Sequence, residues 1–177
     1  MRASVYFGGS RHLTHTPTIK AVVQAVINSG CAVHVGCQWG ADAQIIRAGM
    51  FSPSFLVVFA VATPAALPPH VAAAASAGAQ VIAQAGGTNT PMKARYLLRS
   101  KAALNGCVQA VFFHPGPGSL AVARECVQKM PVFAFAPEAP RPIPSAAGCW
   151  QPVESVSYYA AFGAVCWRWQ SSQHGIL

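Results

Sequence analysis

Glycines and small polar residues follow four strand-like apolar runs of this chain, a placement that favours the binding of an anion. Glycine has no Cβ, so backbone N–H groups beside it can approach a phosphate closely, and a helix that starts there adds about half a positive charge. Parallel α/β sheets bind their ligands at the carboxyl ends of the strands. We therefore predict a crevice for a phosphate-containing ligand, formed by the loops FGGSRH after Ala3–Phe7, VGCQWGAD after Ala32–Val35, AGGTNTP after Val81–Gln84 and HPGPGS after Val108–Phe113.

The charge balance also favours an anionic partner. Twelve Lys and Arg face four acidic residues, which gives a net charge of +8 and suits a nucleotide, a nucleic acid or an acidic lipid headgroup. Asp42 is the only aspartate, so a mechanism that needs two carboxylates has few residues to use. Charged residues make up only 9% of the chain, against about 25% in an average soluble domain, so we expect a homo-oligomer that buries apolar surface.

Four basic residues lie on one predicted helix that opens at Pro91 and runs to about Leu104: Lys93, Arg95, Arg99 and Lys101. Arg95 and Arg99 are neighbours at i and i+4, where like charges repel unless an anion lies between them. The four residues are therefore possible nucleic-acid contacts, and a solvated basic face is the alternative. Their apolar neighbours Leu97, Leu98 and Leu104 are expected to pack inward.

Other arrangements of reactive side chains carry less weight. Cys31, His34 and Cys37 have a spacing like that of metal ligands, but strand alternation points Cys31 and His34 to opposite faces, so we predict no metal site. His114 ends a predicted strand and could contact a phosphate or act as an acid, although a capped strand-end histidine is the commoner outcome. Trp39 could stack on a base.

Apolar strand runs alternate with helical segments, which is the pattern of βαβ units and a mostly parallel sheet. The fold class predicted is a single Rossmann-like α/β domain with helices flanking the sheet. The predicted helices are Thr16–Ser29, Ala41–Ala48, Val71–Ala77, Pro91–Leu104 and Leu120–Lys129. The predicted strands are Ala3–Phe7, Cys31–Val35, Phe55–Ala60, Gln80–Gln84, Val108–Phe113 and Val132–Phe135.

The amino-acid composition changes near residue 137. The segment PEAPRPIPSAAG holds four prolines and is typical of an extended linker. Val156–Trp169 is rich in aromatic residues and fits a helix or a strand equally well. We therefore predict a domain over residues 1–137, and over residues 138–177 a Pro-rich linker and an aromatic extension that packs on the core or on a partner subunit.

The apolar runs of this chain are shorter than the roughly 20 residues of a membrane-spanning helix. Met1–Phe7 leads directly into glycines and a basic residue, so it has no apolar region of a signal peptide. We expect no membrane partner and a cytoplasmic location.

The order of four motifs resembles the SLOG superfamily, which unites the DNA-processing protein A (DprA/Smf) domain, the lonely guy (LOG) phosphoribohydrolases and the YspA-like proteins. The motifs are FGGSR, GCQWGAD, PMKARYLLRSKAAL and HPGPGSLAVARECVQKMPVFAFAP, and the resemblance covers about residues 3–137. It implies that Asp42 accepts ribose hydroxyls, although Asp42 could equally be the N-cap of the next helix. The other ligand-binding or phosphate-binding residues that it implies are Gly8, Gly9, Ser10, Arg11, Gly36, Gly40, Arg95, Gly116, Gly118 and Ser119.

These observations leave three interpretations of function. The first is the binding of a nucleotide or nucleotide-derived ligand in the glycine-loop crevice, without a cofactor. The alternative is a DprA-like protein that binds single-stranded DNA. The third is a phosphoribohydrolase of LOG type acting on nucleoside 5′-monophosphates. It is disfavoured because Val122 stands where the resemblance places the catalytic glutamate, and Glu125 lies one helical turn further on.

Overall fold

The computed structural model describes residues 2–14, 17–62, 66–84, 90–153 and 164–172. Within these ranges eight strands form one sheet in the order β4-β3-β2-β1-β5-β6-β8-β7. The first six strands are parallel, and β8 pairs antiparallel with both β6 and β7. The strands are β1 Ser4–Gly9, β2 Ala32–Val35, β3 Leu56–Ala60, β4 Gln80–Ala83, β5 Cys107–Phe113, β6 Val132–Ala136, β7 Gly148–Pro152 and β8 Val165–Ser171.

Helices link the parallel strands and cover both faces of the sheet. The helices of the described residues are α1 Pro17–Asn28, α2 Ala41–Gly49, α3 Pro69–Ser76, α4 Met92–Leu104 and α5 Pro117–Cys126. The chain moves outward from β1 to β4 and then returns to β5 through α4. Because such crossovers are right-handed, α1, α2 and α3 lie on one face while α4 and α5 lie on the other. The predicted mixed α/β fold with a mostly parallel sheet is confirmed.

The strands and helices lie where the apolar pattern predicted them, with shifts at their ends. Strand β1 continues through Gly8 and Gly9, two residues beyond the predicted end, because both residues pair with β5. Helix α5 begins at Pro117 rather than Leu120 and ends at Cys126 rather than Lys129. Its start follows the preference of proline for the first turn of a helix, where an N–H is not needed.

Two antiparallel strands extend the sheet beyond residue 137. Strand β8 continues sheet pairing along β6, and β7 forms the outer edge. Ile143, Trp150 and Trp169 are buried beside the residues of β5 and β6, and the Trp150 and Trp169 rings meet edge to face with centroids 5.3 Å apart. The sheet strand β7 was not predicted. The part of the predicted aromatic segment that covers residues 156–163 lies outside the described residues.

The inward face of α4 differs from the one expected. Its buried residues are Arg99, Ser100, Ala103 and Leu104. Leu98 is 58% exposed and Leu97 is 38% exposed, so the expectation that both pack inward is wrong, whereas Leu104 is buried. The buried stripe of α4 follows helical spacing through Arg99, which places the two leucines outside it.

Among the described residues, each helix is too short or too polar to span a membrane.

Candidate nucleic-acid interface

The loops predicted to bind an anion follow the carboxyl ends of parallel strands, at an edge that we call the carboxyl edge. Strand order reverses between β1 and β5, since the chain leaves β1 toward β2 and returns on the other side at β5. Open α/β sheets bind their ligands at such a reversal point. The loops after β1, β2 and β5 meet there. The loop after β4 includes residues 85–89, which lie outside the described residues.

The loop after β1 begins at Ser10. The Ser10 N–H donates to the Phe113 carbonyl at 3.0 Å, and the Ser10 side-chain oxygen accepts from the His12 N–H at 3.2 Å. These bonds fix the backbone that carries Arg11, whose side chain is exposed. Gly8 and Gly9 are strand residues, and a Cβ on Gly9 would collide with the Phe113 carbonyl, so close packing of β1 on β5 accounts for that glycine. A binding role for Gly8 and Gly9 stays a prediction.

The loop after β2 packs against the loop after β1. Gly40 has a φ of +77°, and a Cβ there would overlap the Arg11 backbone. The Ala41 N–H donates to the Ser10 carbonyl at 3.0 Å. Close backbone contact therefore holds Arg11 in place, and it requires glycine at position 40.

Asp42 forms a buried ion pair with Arg99 of α4. The Arg99 guanidinium lies 3.6 Å from the Asp42 carboxylate, and the two side chains are 5% and 10% exposed. Asp42 also accepts the Gln38 N–H at 3.1 Å. The guanidinium occupies the space beside Gly36 in which a side chain would otherwise stand. Asp42 lies inside α2 and makes no N-cap bond, so its predicted N-cap role is wrong.

Burial and charge pairing act in opposite directions on the ionisation of this cluster. It raises the pKa of Asp42, and the neighbouring Arg99 charge opposes that rise. Burial would lower the pKa of Arg99, but the Asp42 and Tyr6 groups outweigh it, so the net shift of that pKa is upward. Burial also raises the pKa of Tyr6 to about 12. The guanidinium stays charged, and the anion that neutralises it is the chain's own carboxylate.

Only part of the predicted basic set on α4 is accessible. Arg99 is 4% exposed and paired with Asp42, which argues against its predicted contact with a nucleic acid. Lys101 lies near the end of α4, 3.3 Å from Glu125 near the end of α5. Lys93 is exposed and Arg95 is half-buried, both in the first turn of α4. Lys93 and Arg95 thus remain candidate contacts at the carboxyl edge.

The loop after β5 leads into α5. The Ser119 hydroxyl donates to the Gly9 carbonyl at 2.9 Å, which ties α5 to β1. A Cβ on Gly116 or Gly118 would meet no other atom, so neither glycine is required by packing within the described residues. His114 has a φ of 45°, unusual for a residue with a side chain, and burial lowers its pKa.

An aromatic pair that the sequence did not reveal lies beside these loops. Trp39 is 60% exposed, and its ring centroid is 4.7 Å from that of His70, at the start of α3. A ring nitrogen of His70, Nε2, is 3.0 Å from the Cys37 carbonyl oxygen. Trp39 could be found in the sequence as a possible stacking residue. No sequence signal pointed to His70. Trp39 follows β2 and His70 follows β3, so the two residues come together only because these strands are neighbours in the sheet.

Among the described residues, no accessible carboxylate lies on the β1 and β2 side of the carboxyl edge. Asp42 is paired with Arg99, Glu125 pairs with Lys101 and Arg124 far from this edge, and Glu138 follows β6. Val122 is 8% exposed and lies in the core. No three His, Cys, Asp or Glu side chains of the described residues are grouped to hold a metal ion.

Comparison with solved structures identifies the fold. DNA processing protein A from Helicobacter pylori superposes with a TM-score of 0.59 at 18% identity, over 75% of this chain and 64% of that chain. DNA processing protein A from Streptococcus pneumoniae gives 0.61 at 17% identity, over 75% of this chain and 50% of that chain. The chain has the fold of DNA processing protein A.

The DNA processing protein A likeness agrees with the resemblance to the DprA/Smf-like domain of the SLOG superfamily. The H. pylori protein is described by its unique mode of single-stranded DNA binding. This chain spans less than two thirds of the length of either protein. No protein-family model and no curated protein matches the sequence. The comparisons therefore show the fold of this chain.

Proposed function

We propose that this protein binds single-stranded DNA at the carboxyl edge, with Arg11 as the central phosphate contact. The observation that carries the proposal is the position of Arg11. Its side chain is exposed at the reversal point of a DNA processing protein A fold, on a backbone held by Ser10 and Gly40. Guanidinium groups bind phosphates through charge-assisted and often bidentate hydrogen bonds.

Two features of the edge support a strand rather than a single phosphate. Lys93 and Arg95 at the start of α4 supply further positive charge, and the pairing of Asp42 with Arg99 removes the repulsion that a free carboxylate would cause. Gly116 and Gly118 face open space, which leaves room for a sugar–phosphate backbone near the backbone of α5. We assign the path of the strand to the β1, β2 and α4 side, away from Glu138.

The test measures affinity for a fluorescent oligothymidylate by anisotropy over a range of salt concentrations. In single-strand binding, log affinity falls linearly with log salt, and the slope becomes less steep by about 0.7 for each phosphate contact removed. We expect Arg11→Ala to lower the affinity about tenfold or more, since a charged hydrogen bond is worth about 1.5–3 kcal/mol, and to reduce the slope by about 0.7. Lys93→Ala should reduce the slope by a similar amount with a smaller loss of affinity.

Lys129→Ala is the matched control, because Lys129 is exposed at the opposite edge of the sheet, after α5. Each of the three variants removes one positive charge, so an effect of net charge alone would be equal in all of them. Equal losses in Arg11→Ala and Lys129→Ala would contradict the proposal. Displacement of the oligonucleotide by a mononucleotide at equal phosphate concentration would instead favour the nucleotide interpretation.

A further inference from the structure

Among the described residues, where Trp167 is half-buried, Trp39 is the only exposed tryptophan. It is 60% exposed, whereas Trp150 and Trp169 are 8% and 6% exposed. A large aromatic side chain normally buries its surface in a core. Trp39 instead lies in the loop between β2 and α2, with one side against His70 and most of its ring toward solvent.

The loop that carries Trp39 is fixed on both sides of it. Before Trp39, the Gln38 N–H donates to Asp42, which is held by Arg99. After Trp39, Gly40 packs on the Arg11 backbone. Beneath the indole, His70 is oriented by the Cys37 carbonyl. The backbone on both sides of the exposed ring is therefore fixed before any ligand arrives, which lowers the entropy cost of binding.

We propose that Trp39 is a stacking platform for one base of the bound strand. The inference rests on the proposed function, and it adds a contact that reads the bases rather than the phosphates. Trp39 precedes Gly40, which touches the Arg11 backbone, so a phosphate on Arg11 brings a neighbouring base within reach of the indole. The occupant is an unpaired base, because the bases of a duplex already stack on each other and do not expose their faces. Every base has a flat face, so the contact is tolerant of sequence.

The test compares two strands of equal length and charge, an oligothymidylate and the same backbone without bases. We expect the parent protein to prefer the thymidylate, and Trp39→Ala to lose about 5- to 150-fold in affinity for it, the range for one base–aromatic stack. The affinity of Trp39→Ala for the abasic strand should match that of the parent, and its salt slope should not change. Trp39→Phe keeps a ring and should retain most of the preference.

Phe51→Ala is the matched control, since Phe51 is 73% exposed and follows α2 at the opposite edge. A preference for bases that survives in Trp39→Ala, or that falls equally in Phe51→Ala, would overturn the inference. If Arg11→Ala weakens binding while Trp39→Ala does not, the inference fails and the proposed function stands. A parent protein that binds neither strand would overturn both.

Discussion

Asp42 and Arg99 show how one residue pair decides the chemistry of this edge. Both side chains are almost fully buried, and their ion pair joins the loop after β2 to helix α4. Removing one partner of a buried pair leaves the other charge uncompensated, which typically costs about 3–5 kcal/mol. The only aspartate of the chain therefore positions the loop and neutralises an inward arginine, and it is not open to solvent as a ribose-binding group would be.

At the same scale, one buried and two half-buried histidines predict how the stability of the fold depends on pH. Burial lowers the pKa of His34, His70 and His114 from the ordinary value of 6.5, so the folded state favours their neutral forms. Their contribution to stability is complete above pH 6.5 and is lost as the pH falls through the folded-state pKa values, because the unfolded chain takes up the protons first. We expect the urea concentration at the unfolding midpoint to decrease as the pH is lowered from 7.5 to about 5.

His34→Gln isolates one of these contributions. His34 Nδ1 is 2.8 Å from the Ala103 carbonyl, and the glutamine amide can make a similar hydrogen bond without titrating. The raised pKa of Asp42 acts in the opposite direction but is common to parent and variant, so it cancels in the difference. The variant should show a shallower loss of stability on acidification. Identical pH profiles in parent and variant would contradict the assignment.

The loops after β1 and β2 are built as one unit, which can be tested through two glycines. Gly40 and Gly30 both have positive φ values, +77° and +84°, but a Cβ at Gly40 would overlap the Arg11 backbone while one at Gly30 would meet nothing. Gly30→Ala should cost about 1–2 kcal/mol for the backbone conformation alone. Gly40→Ala should cost about 2–5 kcal/mol, because the collision adds strain of the size seen in overpacked sites.

The measurement is the free energy of unfolding in urea, together with oligothymidylate affinity. We expect Gly40→Ala to weaken DNA binding because the collision displaces Arg11, whereas Gly30→Ala leaves the affinity unchanged. Equal unfolding free energies for the two variants would show that the packing of Gly40 on Arg11 does not hold the loop.

At the scale of the whole molecule, the low charge and the outward face of α4 predict self-association. Only 9% of residues are charged, and Met92 and Leu98 are 52% and 58% exposed on that helix. We expect light scattering at micromolar concentration to give the mass of at least a dimer, and Leu98→Glu to shift it toward the monomer. Ala73→Glu, which adds the same charge to an exposed position of α3, should leave the mass unchanged. A parent of monomeric mass would contradict the prediction.

The charge distribution is also a property of the whole molecule. The net charge of +8 is fixed by composition, but its arrangement comes from the ion pairs. Asp42 and Glu125 each pair with a cation of α4, Arg99 and Lys101 respectively, and Arg11 and Lys93 stay exposed at the carboxyl edge. Arg11 and Lys93 are thus accessible where the strand is proposed to bind, although cations such as Arg2, Arg47 and Arg168 are exposed elsewhere on the surface.

The sequence by itself determined the parallel α/β architecture and predicted where the candidate site lies. Buried parallel strands form short apolar runs, and glycine or proline marks the turns between strands and helices. These signals are local, so they predicted all six strands of residues 1–137 to within two residues at each end. The order of the glycine loops also pointed to the carboxyl edge before any contact was known.

The tertiary structure alone decided which residues of the site are accessible. Arg99 and Lys93 look alike in sequence, but only Arg99 falls on the buried stripe of α4 opposite Asp42. The pairing of Trp39 with His70 and the joining of β8 to β6 bring together residues that are 29 or more positions apart. Such contacts depend on strand order and packing, which local apolar periodicity does not encode.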